Sequence, residues 1–144
     1  MIAYKPTGTR VELTPLTVKP EILEGNPLEA SRRVIDAAAG GPVRSGIYEV
    51  SRGKFVITFA FHELATVLEG TVELTDEAGN SVTYGPGDSW FCQKGEKVTW
   101  NVTSERLRKC FMAVDPDHLN RDGGMIAPLA YKGPDSAGKT PIIG

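Results

Sequence analysis

Two charged side chains stand in otherwise apolar, strand-like segments, and both are candidates for proton-transfer chemistry. Glu63 follows an alternating aromatic run that ends at Phe61. A buried carboxyl without a charge partner favours its protonated form and can act as a general acid or base. Lys109 lies between Leu107 and Phe111, and a lysine in an apolar row is rare in a core and common at a site. Lys109 is therefore the predicted partner of Glu63.

Two alternatives to this catalytic pair stay open at the level of sequence. The sequence pattern alone is a weak guide to which side of a short strand is buried. Cys110 and Met112 could therefore point inward and leave Lys109 exposed to water. A contact between Glu63 and Lys109 could also be a structural ion pair, because buried pairs are not proof of chemistry.

Three further residues are candidates for ligand contact or catalysis. Tyr48 could stack on a ligand or hydrogen-bond to it. Cys92 could line the same pocket, but no histidine is available there to activate it as a nucleophile. His62, one of only two histidines, directly precedes Glu63, and neighbours on one strand point to opposite faces. A metal held by both needs the strand to end or bulge there, so we expect His62 to be a partly exposed residue at a strand start.

Length and composition place these residues in an ordinary globular chain. The 144 residues suit one domain, and the apolar fraction of 40% and charged fraction of 24% are typical of globular proteins. The formal net charge of -2 argues against nucleic-acid binding and against docking on an anionic membrane. No apolar run approaches the roughly 18 residues of a spanning helix, and the N-terminus lacks a signal-peptide core. We therefore expect a cytoplasmic protein with reduced cysteines.

The candidate residues lie in the strand-rich middle of three zones. Residues 44–114 alternate with period two, and Gly, Pro, Asn and Asp turns separate the short runs. Many short strands at close spacing predict an all-β sandwich or small barrel. Residues 1–43 form an N-terminal arm, and residues 115–144 form a loop-rich C-terminal tail.

The N-terminal arm contains one predicted helix, at about residues 27–39. Asn26 is a capping residue, Pro27 suits the first helical position, and Glu29 falls where it can reach back to the cap. Apolar residues at helical spacing follow, and a pair of glycines ends the pattern.

Two ordered segments of the middle zone resemble a known fold family. Residues 63–70 run from Glu63 to a glycine; after a hairpin come residues 87–95, which begin Gly-Asp-Ser-Trp and precede Trp100. Their order and spacing resemble the two motifs of the cupin superfamily, in particular its small single-domain branch of ethanolamine-utilisation and (S)-ureidoglycine aminohydrolase-like cupins. The resemblance covers about residues 44–114 and implies a double-stranded β-helix, or jelly-roll, barrel.

The resemblance also implies where a metal would bind, and the residues at those places lack metal-binding atoms. In cupins, three histidines and a glutamate hold a divalent ion. With Glu63 at the glutamate position, the histidine positions fall on Ile57, Phe59 and Val98, whose side chains offer no lone pair. We therefore expect no cofactor, unless Glu63 and His62 form an unusual site.

A ligand pocket inside the barrel is the next expectation from the resemblance. Tyr48 falls where this branch often carries an aromatic residue, and Trp100 is expected in the pocket wall. The remaining ligand-binding candidates are Ile57, Phe59, Val98 and Cys92.

The resemblance further implies a homodimer, because related small cupins tend to be dimers that exchange N-terminal strands. Trp90 and Phe91 are adjacent, so one of them faces outward and is a candidate for a subunit interface.

Three functions fit this reading of the sequence. The first is a metal-independent acid/base enzyme that acts on a small polar metabolite through Glu63, with Lys109 or Tyr48. The second is a module that binds a sugar, amine or carboxylate without turning it over. The third is an assembly protein with a vestigial pocket, because fold alone does not decide function.

Overall fold

The strands of this protein cover most of the chain that the computed structural model describes, which is residue 1 and residues 4–6, 12–36 and 42–119. In chain order they are β1 (Thr14–Pro15), β2 (Glu21–Gly25), β3 (Glu29–Asp36), β4 (Val43–Thr58), β5 (His62–Glu69), β6 (Val72–Thr75), β7 (Ser81–Tyr84), β8 (Ser89–Cys92) and β9 (Lys97–Val114), followed by the single-turn helix α1 (Pro116–Leu119). The predicted all-β class is confirmed. In the described part, no helix is long and apolar enough to cross a bilayer.

Two long strands organise the sheet. β4 and β9 pair antiparallel along their whole lengths, and a bulge between Ser51 and Gly53 interrupts the register. β5 pairs with the C-terminal half of β9 and β6 pairs with its N-terminal half, whereas β3 and β2 pair with β4. β8 lies beyond β5, and β7 beyond β6. Because each long strand bends at the bulge and serves two sets of neighbours, the sheet folds over on itself as a jelly roll.

The predicted helix at residues 27–39 is wrong where the structure describes it. Residues 29–36 form β3, which pairs antiparallel with the first half of β4. Pro27 packs on the backbone of Gly53, where an added Cβ would lie 2.8 Å from the proline Cδ, so it is a packing residue and no helix start. Val34 and Ile35 are β-branched residues, which favour a strand, and β4 provides the neighbouring strand with which they pair. Residues 37–39 lie outside the described part.

The core lies between the folded halves of the sheet and centres on Trp100. The Trp100 ring lies 5.6 Å from Phe55, 6.5 Å from Phe59 and 5.3 Å from Trp90, measured between ring centroids. The period-two patterns behind this core are confirmed in β6 and in residues 97–102 of β9, where the apolar residues are buried while their polar neighbours are not. From residue 120 onward, the predicted loop-rich tail lies outside the described residues.

Gly70 marks the sharp passage from β5 to β6. Its φ is +88°, a region that side chains disfavour, and an added Cβ would lie 2.0 Å from the Arg106 carbonyl oxygen. Glycine at this place therefore allows two backbones to meet, which explains why a glycine ends the first motif.

Candidate functional site

An open cavity of about 400 Å³ lies against the inner face of β3, β4 and β9, within the size range of small-molecule sites. The structure brings six of the predicted site residues to its wall: Tyr48, Ile57, Phe59, Glu63, Trp100 and Lys109. It does not bring Val98 or Cys92 there, because both belong to the packed core and neither lines the cavity.

Glu63 and Lys109 form an ion pair in the cavity wall. The Lys109 Nζ donates to Glu63 Oε2 at 2.7 Å, and the two side chains are only 5% and 14% exposed. Met112, on the same strand as Lys109, is instead half exposed. The sheet register explains the meeting, since β9 lies directly beside β5 and presents Lys109 to the same face as Glu63.

Aromatic rings enclose the Lys109 ammonium. Its Nζ lies between 5.0 and 5.5 Å from the ring centroids of Tyr48, Trp90, Trp100 and Phe111. Ring faces attract cations, and this attraction grows when water is excluded. The ammonium of Lys109 therefore contacts both the ring faces and the carboxylate of Glu63.

A second hydrogen-bonded pair lies beside the first, and the sequence did not reveal it. The Tyr48 hydroxyl donates to Glu29 Oε2 across β3 and β4. Burial, followed by the charge of Glu29, raises the pKa of Tyr48 well above its ordinary value, so the phenol keeps its proton. Glu29 itself is buried and lines the cavity. It was missed because a helix was predicted there, where it would have capped the first turn.

The family of the chain follows from a direct comparison. Residues 37–111, more than half of the chain, match the family model of the EutQ-like cupin domain. The chain belongs to the EutQ-like cupin family. No curated protein matches it significantly.

Solved cupin structures share the fold of this chain. The EutQ protein of Clostridium difficile is 20% identical, with a TM-score of 0.56, over 70% of this chain and 83% of its own. A DUF861-family protein of unknown function from Pseudomonas syringae pv. tomato str. DC3000 is 26% identical, with a TM-score of 0.61, over 72% of this chain and 45% of its own. The polyketide cyclase RemF of Streptomyces resistomycificus is 22% identical, with a TM-score of 0.56, over 74% of this chain and 78% of its own.

The residues of this EutQ-like cupin do not fit the divalent metal of many cupins. Ile57 and Phe59, which the resemblance assigns to two of the histidine positions, line the cavity, and Val98, which it assigns to the third, is buried in the core. The carboxylate of Glu63 is paired with the ammonium of Lys109, and this positive charge would repel a metal ion at the same carboxylate. Among the described residues, no group of three or more His, Cys, Asp or Glu could hold a metal.

His62 of the EutQ-like cupin is a buried structural residue, which corrects the expectation of partial exposure. It is 3% exposed, and its Nδ1 accepts a hydrogen bond of 2.9 Å from the backbone N–H of Lys94. It does not line the cavity, because it faces away from its neighbour Glu63. The turn before β9 is thereby tied to the start of β5.

Replacing His62 by leucine is expected to lower the free energy of unfolding by about 1–3 kcal/mol, since the Lys94 N–H loses its buried acceptor. Replacing it by asparagine, whose amide oxygen can take the place of Nδ1, should recover part of this loss. Urea unfolding of both variants measures the difference. Equal destabilisation of the two would show that the hydrogen bond is not what His62 contributes.

Cys92 is a buried free cysteine that packs in the core of the cupin. Burial raises the pKa of its thiol to about 12, so its thiolate near neutral pH is about a thousandfold rarer than that of an ordinary thiol. In the Cys110→Ser variant, labelling of Cys92 by a thiol reagent is expected to be slower than in the urea-unfolded chain by about that factor. Fast labelling of the folded variant would contradict the burial.

Proposed function

We propose that this EutQ-like cupin binds a small polar metabolite in the cavity and catalyses a metal-independent acid/base reaction upon it. Isomerisation, elimination and C–N hydrolysis are the reactions of this class that the site suits. The observation that carries the proposal is the buried Glu63–Lys109 pair in the wall of an accessible cavity. A buried, hydrogen-bonded carboxylate and ammonium in the wall of a cavity make that cavity a candidate functional site.

Each residue has a distinct part in the proposed reaction. Glu63 takes a proton from a C–H group beside a substrate carbonyl, or from water, through the carboxylate oxygen that Lys109 does not hold. The Lys109 ammonium donates to the oxygen on which negative charge develops. Glu63 then returns its proton to a second carbon or to the leaving group, so that the enzyme ends as it began.

Tyr48 supplies a neutral hydroxyl beside Lys109, whose Nζ lies 5.0 Å from the centroid of the tyrosine ring. Because its pKa is raised, the phenol keeps the proton that it donates to Glu29, and its oxygen can accept a hydrogen bond from a substrate hydroxyl or N–H group. The hydrogen bond to Glu29 fixes the direction of its hydroxyl. We propose that Tyr48 orients the substrate, while Glu63 and Lys109 carry the proton transfer.

Ligand binding without turnover is the second candidate function. The observation that favours it is that Glu63 and Lys109 already satisfy each other, as a purely structural pair would. A wall that combines aromatic and aliphatic side chains with polar groups is also typical of a binding pocket. In that case bound compounds stabilise the protein and are recovered unchanged.

The test separates these functions by following the compounds themselves. Chelator-dialysed protein is incubated with a metabolite extract, and mass spectrometry records which compounds are consumed and which are retained on the protein. Consumption that persists after dialysis supports the proposal. Retention without consumption supports the binding module, and activity that returns only with added metal overturns the metal-independent reaction.

We also propose that the protein forms a homodimer through the outer face of β5, β8 and β9. Leu64, Phe91 and Met112 are neighbours there across the register and are 51%, 50% and 49% exposed. β8 pairs only with β5 in the described part, so this apolar face adjoins an edge that a second copy could cover.

Light scattering should show a dimer that the substitution Phe91→Lys weakens. Val82→Lys, at an exposed valine of β7, is the matched control; an unchanged mass in both variants would contradict the proposal.

A further inference from the structure

Glu29 is a buried carboxylate that the protein uses only in part as a hydrogen-bond acceptor. It is 8% exposed and lines the cavity beside Tyr48. From the described residues its side chain accepts one hydrogen bond, that of the Tyr48 hydroxyl. An ionised carboxylate has about four acceptor positions, and its burial is unfavourable unless they are used. Glu29 is therefore able to receive further donors from a bound molecule.

A second cavity also reaches Glu29. Its volume is about 380 Å³, and residues 18–21 and 56–58 form much of its wall. It shares four lining residues with the first cavity, namely Leu16, Glu29, Ile57 and Thr58. Glu29 thus borders two accessible volumes, so a compound bound at this carboxylate has room to extend away from it.

Two more acceptors lie next to Glu29 on the paired strands β3 and β4. Ser31 follows Glu29 by two residues on β3 and is the direct register partner of Tyr48 on β4. The Ser31 hydroxyl donates to the Ile47 carbonyl oxygen at 3.0 Å, and the Tyr48 hydroxyl donates to Glu29. Both hydroxyl protons are thus engaged within the protein, while the oxygens can still accept. Glu29, Ser31 and Tyr48 all line the cavity, and together we call them the acceptor row.

The cations of the cavity wall interact with other groups of the protein. Lys109 pairs with Glu63, and the Arg44 guanidinium carbon lies 3.6 Å from the ring centroid of Phe61. Arg33 also makes interactions within the protein. Recognition at the acceptor row is therefore determined by the donors that a ligand itself brings.

We infer, on the basis of the proposed function, that the substrate carries a vicinal diol whose two hydroxyls donate to Glu29 and Tyr48. The Tyr48 oxygen and the Glu29 carboxylate are hydrogen-bonded to each other, so their remaining acceptor positions are adjacent. Neighbouring hydroxyls reach both acceptors from one molecule, which loses its translational freedom once for two hydrogen bonds. The hydrogen bond to the carboxylate belongs to the stronger, charge-assisted class.

Charged substrates fit the acceptor row less well than a neutral diol. A carboxylate or phosphate is repelled by Glu29 and brings only further acceptors. An ammonium is attracted to Glu29 but comes close to the Lys109 ammonium, whose Nζ lies 5.0 Å from the ring centroid of the same Tyr48. A neutral diol meets neither repulsion.

The test measures the binding of probes that share one carbon ring and differ in their donors. The cis and trans isomers of 1,2-cyclohexanediol are compared with trans-1,4-cyclohexanediol, cyclohexanol, 2-aminocyclohexanol and cyclohexanecarboxylate. Ligand-observed NMR titration gives each affinity. A 1,2-diol is expected to bind about tenfold more tightly than cyclohexanol, because it gains a second hydrogen bond.

Two variants test the acceptors themselves. Glu29→Gln is expected to weaken the preferred 1,2-diol by about 10–100-fold, the usual effect of losing a hydrogen bond to a charged group. Tyr48→Phe is expected to reduce the preference for the 1,2-diol over cyclohexanol. Glu24→Gln is the matched control, since Glu24 is an exposed glutamate of β2 that lines neither cavity, and diol affinity should not change. Circular dichroism verifies the fold of each variant.

The inference is overturned if neither 1,2-diol binds more tightly than cyclohexanol and the 1,4-diol. It is also overturned if the amine or the carboxylate binds more tightly than the 1,2-diols, or if folded Glu29→Gln binds the diol like the wild type. The comparison of probes on the wild-type protein and the Tyr48→Phe variant decide the question even if Glu29→Gln does not fold.

Failure of this inference and failure of the proposed function give different results. Consumption of a compound without neighbouring hydroxyls leaves the proposed reaction standing and overturns the diol. A metabolite with a vicinal diol that binds through Glu29 but is recovered unchanged supports the recognition site and overturns catalysis.

Discussion

Replacing Glu63 by glutamine is expected to lower kcat by about 10²–10⁴-fold, the usual contribution of a positioned general acid or base. The amide keeps the size of the side chain and can still accept a hydrogen bond from Lys109. It cannot take up a proton at the pH of the reaction, so the step proposed for Glu63 stops. Steady-state kinetics on the substrate identified by mass spectrometry, well below the melting temperature, measures the change.

The same variant also tests whether Glu63 is only structural. Glutamine leaves the buried Lys109 ammonium without a counter-charge, and the loss in unfolding free energy is expected to be about 1–3 kcal/mol because the hydrogen bond remains. Glu69→Gln is the matched control, since Glu69 lies on the same strand, is exposed and pairs with Arg106 at the surface. It should change neither kcat nor stability appreciably. A kcat of Glu63→Gln within a few-fold of the wild type would mean that the carboxylate does no chemistry.

Replacing Lys109 by methionine is expected to lower the free energy of unfolding by about 3–5 kcal/mol at neutral pH. Removing one partner of a buried ion pair leaves the other charge without compensation, and the Glu63 carboxylate is only 14% exposed. Turnover should be lost as well, because the donor to the developing oxyanion is gone. Urea unfolding followed by circular dichroism measures the stability.

A double variant separates the pair from simple loss of packing. Glu63→Met combined with Lys109→Met leaves two apolar side chains in the aromatic enclosure and is expected to recover most of the stability. Lys97→Met, at an exposed lysine of the same strand, is the control and should stay within about 0.5 kcal/mol of the wild type. Additive losses in the double variant would show that the two side chains do not depend on each other.

The missed helix shows where local signals fail. Asn26, Pro27 and Glu29 are each suited to a helix start, yet β3 forms because β4 offers a complete ladder of partners. The free energy of strand pairing comes from contacts with residues far away in the chain, so a short window of sequence cannot reveal it. The error also concealed Glu29 and Arg33, which line the cavity only because β3 is a strand.

The facing of Lys109 shows a second limit. Alternation established that Lys109 and Met112 point to opposite sides of β9, but either face satisfied the pattern. The neighbouring strands settled it, because β4 and β5 turn their buried faces toward Lys109 and so make the ammonium an inner group.

Sequence by itself determined the all-β class and the cupin motifs, since both depend on residue types at short separations. It also singled out Glu63, Lys109 and Tyr48 as the residues able to move protons. Only the tertiary structure decided that these residues meet, that Val98 and Cys92 belong to the core, and that Arg44 stacks on Phe61 at the cavity. Such contacts join strands far apart in the chain, and the physical reason is that strand register and facing are set by the packing of the whole sheet.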